Sequence, residues 1–145
     1  MLEQLGHEFK PMLAEKNLKC EFDIQPDMML SCDANKLQRV FDNVLRNAVS
    51  YCYENTTIQV NARHAEDNVL IKIINEGDTI PRERLVRIFE QFYRLDVSRS
   101  SSTGGAGLGL AIAREIVELH HGQITAHSEN GITCFEITLP TVGKS

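Results

Sequence analysis

No stretch of this chain approaches the roughly 18–20 apolar residues that a membrane-spanning helix needs. The opening Met1-Leu2-Glu3-Gln4 has neither the basic nor the apolar region of a signal peptide. Basic charge is also short. Fifteen Lys and Arg against 20 Asp and Glu leave a net charge of −5, which excludes the basic face of a nucleic-acid binder. Cys20, Cys32, Cys52 and Cys134 show no paired spacing, so free thiols are expected rather than a disulfide framework. There is no internal repeat. What remains is one globular domain over 1–145, whose 42% hydrophobic content is enough to build a core.

The most informative stretch runs from Ser98 to Leu110. It begins with hydroxyl residues around Arg99, passes through Gly104, Gly105, Gly107 and Gly109, and enters the apolar run Leu110-Ala111-Ile112-Ala113. The polar half has too little apolar surface to offset the entropy of ordering it. The glycine half lets the backbone approach a ligand, and the helix expected after it offers free N–H groups to an anion. The stretch reads as a lid, 95–106, hinged onto a phosphate cradle. Three familiar nucleotide motifs are missing. No buried strand leads into the glycines, no Lys-Ser/Thr pair follows them, and the Lys, His-Arg-Asp and Asp-Phe-Gly partners of a protein kinase are absent.

Periodicity predicts a lead-in helix over 1–17 and a strand over Leu18–Ile24 ended by Pro26-Asp27. Met28–Cys32 reads as a short strand, and Asp33 stands where an N-cap belongs. The helix after it should run to about Tyr53, burying Leu37, Val40, Phe41, Val44, Leu45, Ala48 and Val49. Strands over Thr57–Arg63 and Val69–Ile74 flank a hairpin at Glu66-Asp67-Asn68. Pro81 suits the first turn of a helix with Leu85, Ile88, Phe89 and Phe92 as its stripe. A helix from Leu108 to His120 should be closed by Gly122, and Asn130-Gly131 marks a hairpin between Gln123–Ser128 and Thr133–Leu139. Hairpins mixed with helices predict an α/β (α+β) two-layer sandwich, a mixed sheet covered on one face by helices.

On the long helix Asn43, Asn47 and Tyr51 recur at i, i+4 and i+8 and share one stripe. Two readings stand open. The carboxamides either cap backbone groups or face water, or they meet a hard cation and phosphates, with Tyr51 as an aromatic wall. Asn75-Glu76-Gly77-Asp78-Thr79-Ile80-Pro81 is either a plain strand–helix turn or a base-binding loop, with Asn75 as acceptor and Gly77 letting a ring lie close. Arg94, after Phe89 and Phe92, offers a planar fork of donors at the lid base, within reach of a terminal phosphate.

These four stretches, in this order, resemble the ATP-binding catalytic domain of sensor histidine kinases in the GHKL superfamily. Asn43-Val44-Leu45-Arg46-Asn47-Ala48 is similar to the N box, Asn75–Pro81 to the G1 box, Phe89–Arg94 to the F box, and Gly105–Leu110 to the G2 box. The form of G1, Phe92-Tyr93-Arg94-Leu95-Asp96 and the Gly104–Leu110 run are similar to the vancomycin-resistance sensor kinases. The resemblance implies a Bergerat fold, a mixed five-stranded sheet backed by three helices. It also implies ATP and Mg²⁺ as cofactors. Asn47 would hold the metal, Asn43 would contact phosphates, Tyr51 would border adenine, and Asn75 would bond its exocyclic amine. Gly105, Gly107 and Gly109 would supply amides and Arg94 would steady the γ-phosphate. Gly77, Ile80, Arg99 and Leu108 complete the expected ATP-binding set, within which Asn43, Asn47 and Arg94 are the expected catalytic residues.

Three positions depart from the pattern. Asn75 replaces the usual Asp, which weakens the acceptor by about 1 kcal/mol, a several-fold loss in ATP affinity. Thr79 takes the place of a second glycine, and Ser50 the place of a Lys or Arg. The superfamily's ATPases carry Glu where Asn43 stands, and an amide cannot take a proton from water. The chemistry implied is therefore phosphoryl transfer by positioning and charge neutralisation, with the nucleophile supplied elsewhere. His7-Glu8-Phe9-Lys10-Pro11 is similar to a phosphoacceptor box but has one residue too few before Pro11. Only about 25 residues separate it from the Asp33 helix, too few for a dimerisation hairpin. The implied partners are a histidine-bearing dimerisation domain of the full-length kinase and, through it, a response regulator. The implied setting is the cytoplasmic side of a membrane sensor, with the fragment itself monomeric. Two alternatives share the fold: a nucleotide-responsive module without transfer, and a serine kinase of the anti-sigma type.

Overall fold

The computed structural model describes residues 10–24, 34–90 and 109–140. Helix α1 (Lys10–Glu15) leads into strand β1 (Lys19–Ile24), followed by the long helix α2 (Ala34–Tyr51). Strands β2 (Thr57–Ala65) and β3 (Asn68–Glu76) form a hairpin, and the single turn α3 (Arg82–Leu85) follows. Helix α4 (Gly109–Leu119) then precedes the hairpin of β4 (Gln123–Glu129) and β5 (Ile132–Pro140). The expected strand over 28–32 and the N-cap at 33 lie outside the described residues.

The strands make one five-stranded sheet in the order β1-β2-β3-β5-β4, with β1 parallel to β2 and the other pairs antiparallel. It is the mixed sheet that the sequence predicts. Strand alternation puts Ile58, Val60 and Ala62 of β2, Val69, Ile71 and Ile73 of β3, and Phe135, Ile137 and Leu139 of β5 on one buried face. All seven apolar residues expected to face inward on α2 are buried, as are Leu110, Ala113, Ile116 and Val117 of α4. Each buried Val, Leu, Ile or Phe among them contributes about 1.5–3 kcal/mol by leaving water. The opposite sheet face carries Lys72 and His127 within 3.7 and 3.8 Å of Glu136, exposed pairs of small energetic weight.

Three local expectations need correction. Helix α2 ends at Tyr51 rather than near Tyr53, because Cys52 bridges to Gly77 and the Tyr53 N–H donates to Glu76 at 2.8 Å. Strand pairing captures the chain there. The helix at Pro81 is one turn, and Pro81 itself is its N-cap. Ile88 and Phe89 are buried by packing in the turns beyond it, and the Phe89 ring stands edge-on to Phe135 at 6.2 Å, under the Arg114 guanidinium. Phe92 lies outside the described residues.

Helix α4 closes on His121, not Gly122. His121 takes the left-handed conformation (φ 65°) and donates to the Glu118 carbonyl, while Gly122 donates to that of Val117. The Gly122 requirement is one of space, since a Cβ there would lie 2.2 Å from the Thr138 carbonyl oxygen. His120 caps the helix through Nδ1, 2.8 Å from the Ile116 carbonyl, which fixes the proton on that nitrogen. Helix α1 closes by the same geometry, with Asn17 left-handed (φ 53°), Asn17 donating to Ala14, and Leu18 donating to Leu13. Cys20, Cys52 and Cys134 are free thiols, as expected.

Candidate functional site

The site lies along α2, whose C-terminal end meets the end of β3 at Gly77 and whose middle, at Asn43, faces the start of α4. Its deepest group is Asn75. Alternation along β3 points this residue to the same face as Val69, Ile71 and Ile73, so a carboxamide occupies the last inward position of an otherwise apolar row. It is 3% exposed and makes no side-chain hydrogen bond to another described residue. Among the described residues no fully enclosed side-chain N or O atom lacks a partner. The Asn75 amide must therefore border an opening, where a ligand or water completes its bonding.

Gly77 follows immediately. The sequence reading has Gly77 make room for a ring, but the structure gives a nearer reason. A Cβ would stand 2.5 Å from the Tyr51 carbonyl oxygen, so the end of α2 rests directly on the Gly77 backbone. The rest of the loop is held by the β4–β5 hairpin. Asn130 and Gly131 both have positive φ, 53° and 79°, the backbone of a tight two-residue turn that Asn-Gly predicts. Gly77 N–H donates to the Gly131 carbonyl at 2.8 Å, and Gly131 N–H donates to Thr79 Oγ1 at 2.7 Å. Ile80 N–H donates to Ser128 Oγ at 2.8 Å, and that hydroxyl lies 2.9 Å from the buried Thr133 hydroxyl. Thr79 thus stands at the glycine position without a left-handed backbone and supplies a hydroxyl that glycine could not.

The roof is α2. Asn43, Asn47 and Tyr51 are half-buried on one stripe, between the buried residues that anchor the helix. The first residue of α4, Gly109, faces Asn43, whose Oδ1 would be 3.6 Å from a Cβ placed there. The structure thus brings Asn43 against the glycine-rich segment, and Tyr51 against Gly77 and the β3 end. Arg94, Arg99, Gly105, Gly107 and Leu108 lie outside the described residues. Ser50 is buried.

The cluster joins a buried carboxamide without a side-chain partner among the described residues, a backbone close approach, and a helix start lying beside a second carboxamide. The pattern of a match over 32–143 decides its family, described as histidine kinase-, DNA gyrase B- and HSP90-like ATPase. The chain belongs to this ATPase family. ATP binding comes with that membership. Sensor protein VanS of Enterococcus faecium is 46% identical over 142 residues, 98% of this chain and 37% of that protein. Sensor protein VanSC of Enterococcus gallinarum is 43% identical over 140 residues, 97% of this chain and 38% of that protein. The chain thus spans a little over a third of these relatives. The nucleotide-free catalytic domain of histidine kinase ThkA superposes with a TM-score of 0.82 at 25% identity, covering 97% of this chain and 92% of that one. This ATPase-family domain is accordingly a Bergerat fold. No helix among its described residues is long and apolar enough to cross a membrane.

Sequence reasoning missed the residues that shape the loop from a distance. Ser128, Thr133 and Gly131 lie about 50 residues from the G1 loop, and Tyr53, whose hydroxyl donates to Asp78, lies 25 away. That bond raises the Tyr53 pKa, since a phenolate would lose it beside a carboxylate. Only the Asn-Gly turn gave a signal, and it did not say what the turn touches.

Proposed function

We propose that the chain is the catalytic domain of a two-component sensor histidine kinase, passing the γ-phosphoryl group of Mg-ATP to a histidine on a separate dimerisation domain. The observation that carries this reading is Asn75: a carboxamide 3% exposed, with no partner among the described side chains, at the mouth beside Gly77. It suits an acceptor for the exocyclic amine of adenine, with Tyr51 bordering the ring and Gly77 and Ile80 shaping the loop. Asn43, which lies against Gly109, would contact the phosphates.

Among the described residues no three His, Cys, Asp or Glu cluster to hold a metal by themselves, so a cation here needs the ligand's own oxygens. Asn47, one turn from Asn43 on the same stripe, is the residue that would hold it. Bound Mg²⁺ supplies charge neutralisation at the phosphates. The protein's own residues then orient the nucleotide and keep water unassisted, since Asn43 offers no base. The Arg94 fork and the amides of Gly105, Gly107 and Gly109 would complete the phosphate end, with Arg99 and Leu108 in the same ATP-binding set.

The kinship to VanS-type sensors supports the vancomycin-resistance sub-family, a cytoplasmic placement below a membrane sensor, and a response regulator as the final acceptor. The isolated chain should be monomeric. The test is incubation with Mg-ATP and a purified histidine-bearing dimerisation domain. Acid-labile, alkali-stable label on the added domain is expected. Nucleotide binding without label would instead indicate a non-transferring module, and acid-stable label a serine kinase.

A further inference from the structure

Helix α2 has no basic residue in its own last turn to meet the negative end of its dipole. The cation comes from elsewhere. Lys16, the C-cap residue of α1, sends its ammonium 33 to 36 residues along the chain. There it donates to the carbonyls of Val49 at 2.8 Å, Ser50 at 2.9 Å and Cys52 at 3.2 Å. All three ammonium donors are used. The neighbouring residue doubles the tie: Asn17 Nδ2 donates to Asn55 Oδ1 at 2.6 Å, and Asn55 N–H donates back to the Lys16 carbonyl at 3.0 Å. Both asparagines hold left-handed backbones, φ 53° and 64°.

The carbonyl that Lys16 leaves untouched, that of Tyr51, is the one resting on Gly77. Cys52, whose carbonyl Lys16 does take, forms the bridge to Gly77, and Tyr53 pairs with Glu76. The ammonium therefore fixes the segment that sets the distance between α2 and the end of β3. We propose that Lys16 is a positioning residue for nucleotide binding, clamping the α2 terminus onto the base-binding loop and coupling the α1 lead-in to that pocket. This rests on the pocket described under Proposed function.

Mg-ADP titration of the chain and its variants tests the coupling. Lys16→Met should weaken Mg-ADP binding at least about fivefold, in the usual range of site-to-site coupling, and Lys16→Arg should recover most of the loss. Gly122→Ala, destabilising at the far end of β4, should bind as the unmodified chain does, separating positioning from stability. Coupling is reciprocal, so a measurement without any substitution is available. Saturating Mg-ADP should slow hydrogen exchange at the Asn55 amide, which donates to Lys16, a change that a merely structural tie would not show. Lys16→Met binding within twofold of the unmodified chain, or Asn55 exchange indifferent to Mg-ADP, would overturn the clamp alone. An unmodified chain that binds no Mg-ADP would overturn the pocket itself, and the clamp's role with it.

Discussion

Gly77→Ala separates the pocket from the fold more sharply than any other single change. The new Cβ would stand 2.5 Å from the Tyr51 carbonyl oxygen and 3.4 Å from Cys52 Cα. The first distance is about 1 Å short of a relaxed contact, and both neighbours are backbone that no rotamer change can move. Overpacking of this kind costs about 1–3 kcal/mol. For a chain of this length that lowers the melting temperature by roughly 2–12 °C. Relief requires α2 and β3 to separate at the place where Tyr51 and Asn75 would hold the base. Mg-ADP affinity should therefore fall about tenfold or more, equivalent to ~1.4 kcal/mol. Gly122→Ala is the matched control. Its Cβ would meet the Thr138 carbonyl at 2.2 Å, an equal or worse clash, but at the opposite end of the sheet. It should melt lower and bind normally. Calorimetric melting and nucleotide titration of the two variants, at a temperature where both are folded, decide the matter. Equal loss of affinity in both, or none in Gly77→Ala, would refute the placement of the base.

Other outcomes follow from the same geometry. Asn75→Asp should tighten adenine-nucleotide binding several-fold, because a charged acceptor bonds the amine more strongly than an amide; titration calorimetry checks it. Thr79→Gly should destabilise the chain by about 1–2 kcal/mol in urea unfolding, since it removes the acceptor for the Gly131 N–H and loosens a loop that needs no positive φ. Burial, and secondarily the Glu21 carboxylate, push the Cys20 thiol from 9.0 to about 11, and burial raises Cys52 and Cys134 as well. The folded chain then holds the Cys20 proton more tightly than the unfolded chain. The contribution is complete below pH 9 and is lost as pH rises toward 11. Unfolding measured across that window should show a shallower decline for Cys20→Ala than for the unmodified chain.

The helix that carries the stripe was legible because 3.6-residue periodicity and burial agree at every inward position from Leu37 to Val49. The tight Asn130-Gly131 turn was legible because its backbone demands φ above zero twice. The order of the four boxes carried the family. What could not be read was set by contacts between distant segments. Ile88 and Phe89 look like a continuing helical stripe, yet both are buried without a helix, Phe89 edge-on to Phe135. Gly122 looks like a helix stop, but His121 makes the left-handed turn and the glycine answers to β5. Thr79 departs from the glycine pattern, and only its bond to Gly131 shows that the departure is functional for the loop. Lys16 gives no local signal at all, because its three acceptors lie more than 30 residues away. Asn43, Asn47 and Tyr51 are half-buried along one stripe of α2, as their spacing predicts, whereas tertiary packing alone sets Gly109 against Asn43 and Gly77 against the Tyr51 carbonyl.

The central claim is a nucleotide held between the α2 stripe and the β3 end, with magnesium shared by Asn47 and the phosphates. Calorimetric titration with ADP, with and without Mg²⁺, of the unmodified chain and of Asn47→Ala addresses it most directly. One site per chain is expected, tighter with Mg²⁺ in the unmodified chain and indifferent to Mg²⁺ in Asn47→Ala. A full magnesium dependence surviving in Asn47→Ala, or no heat from the unmodified chain, would contradict it.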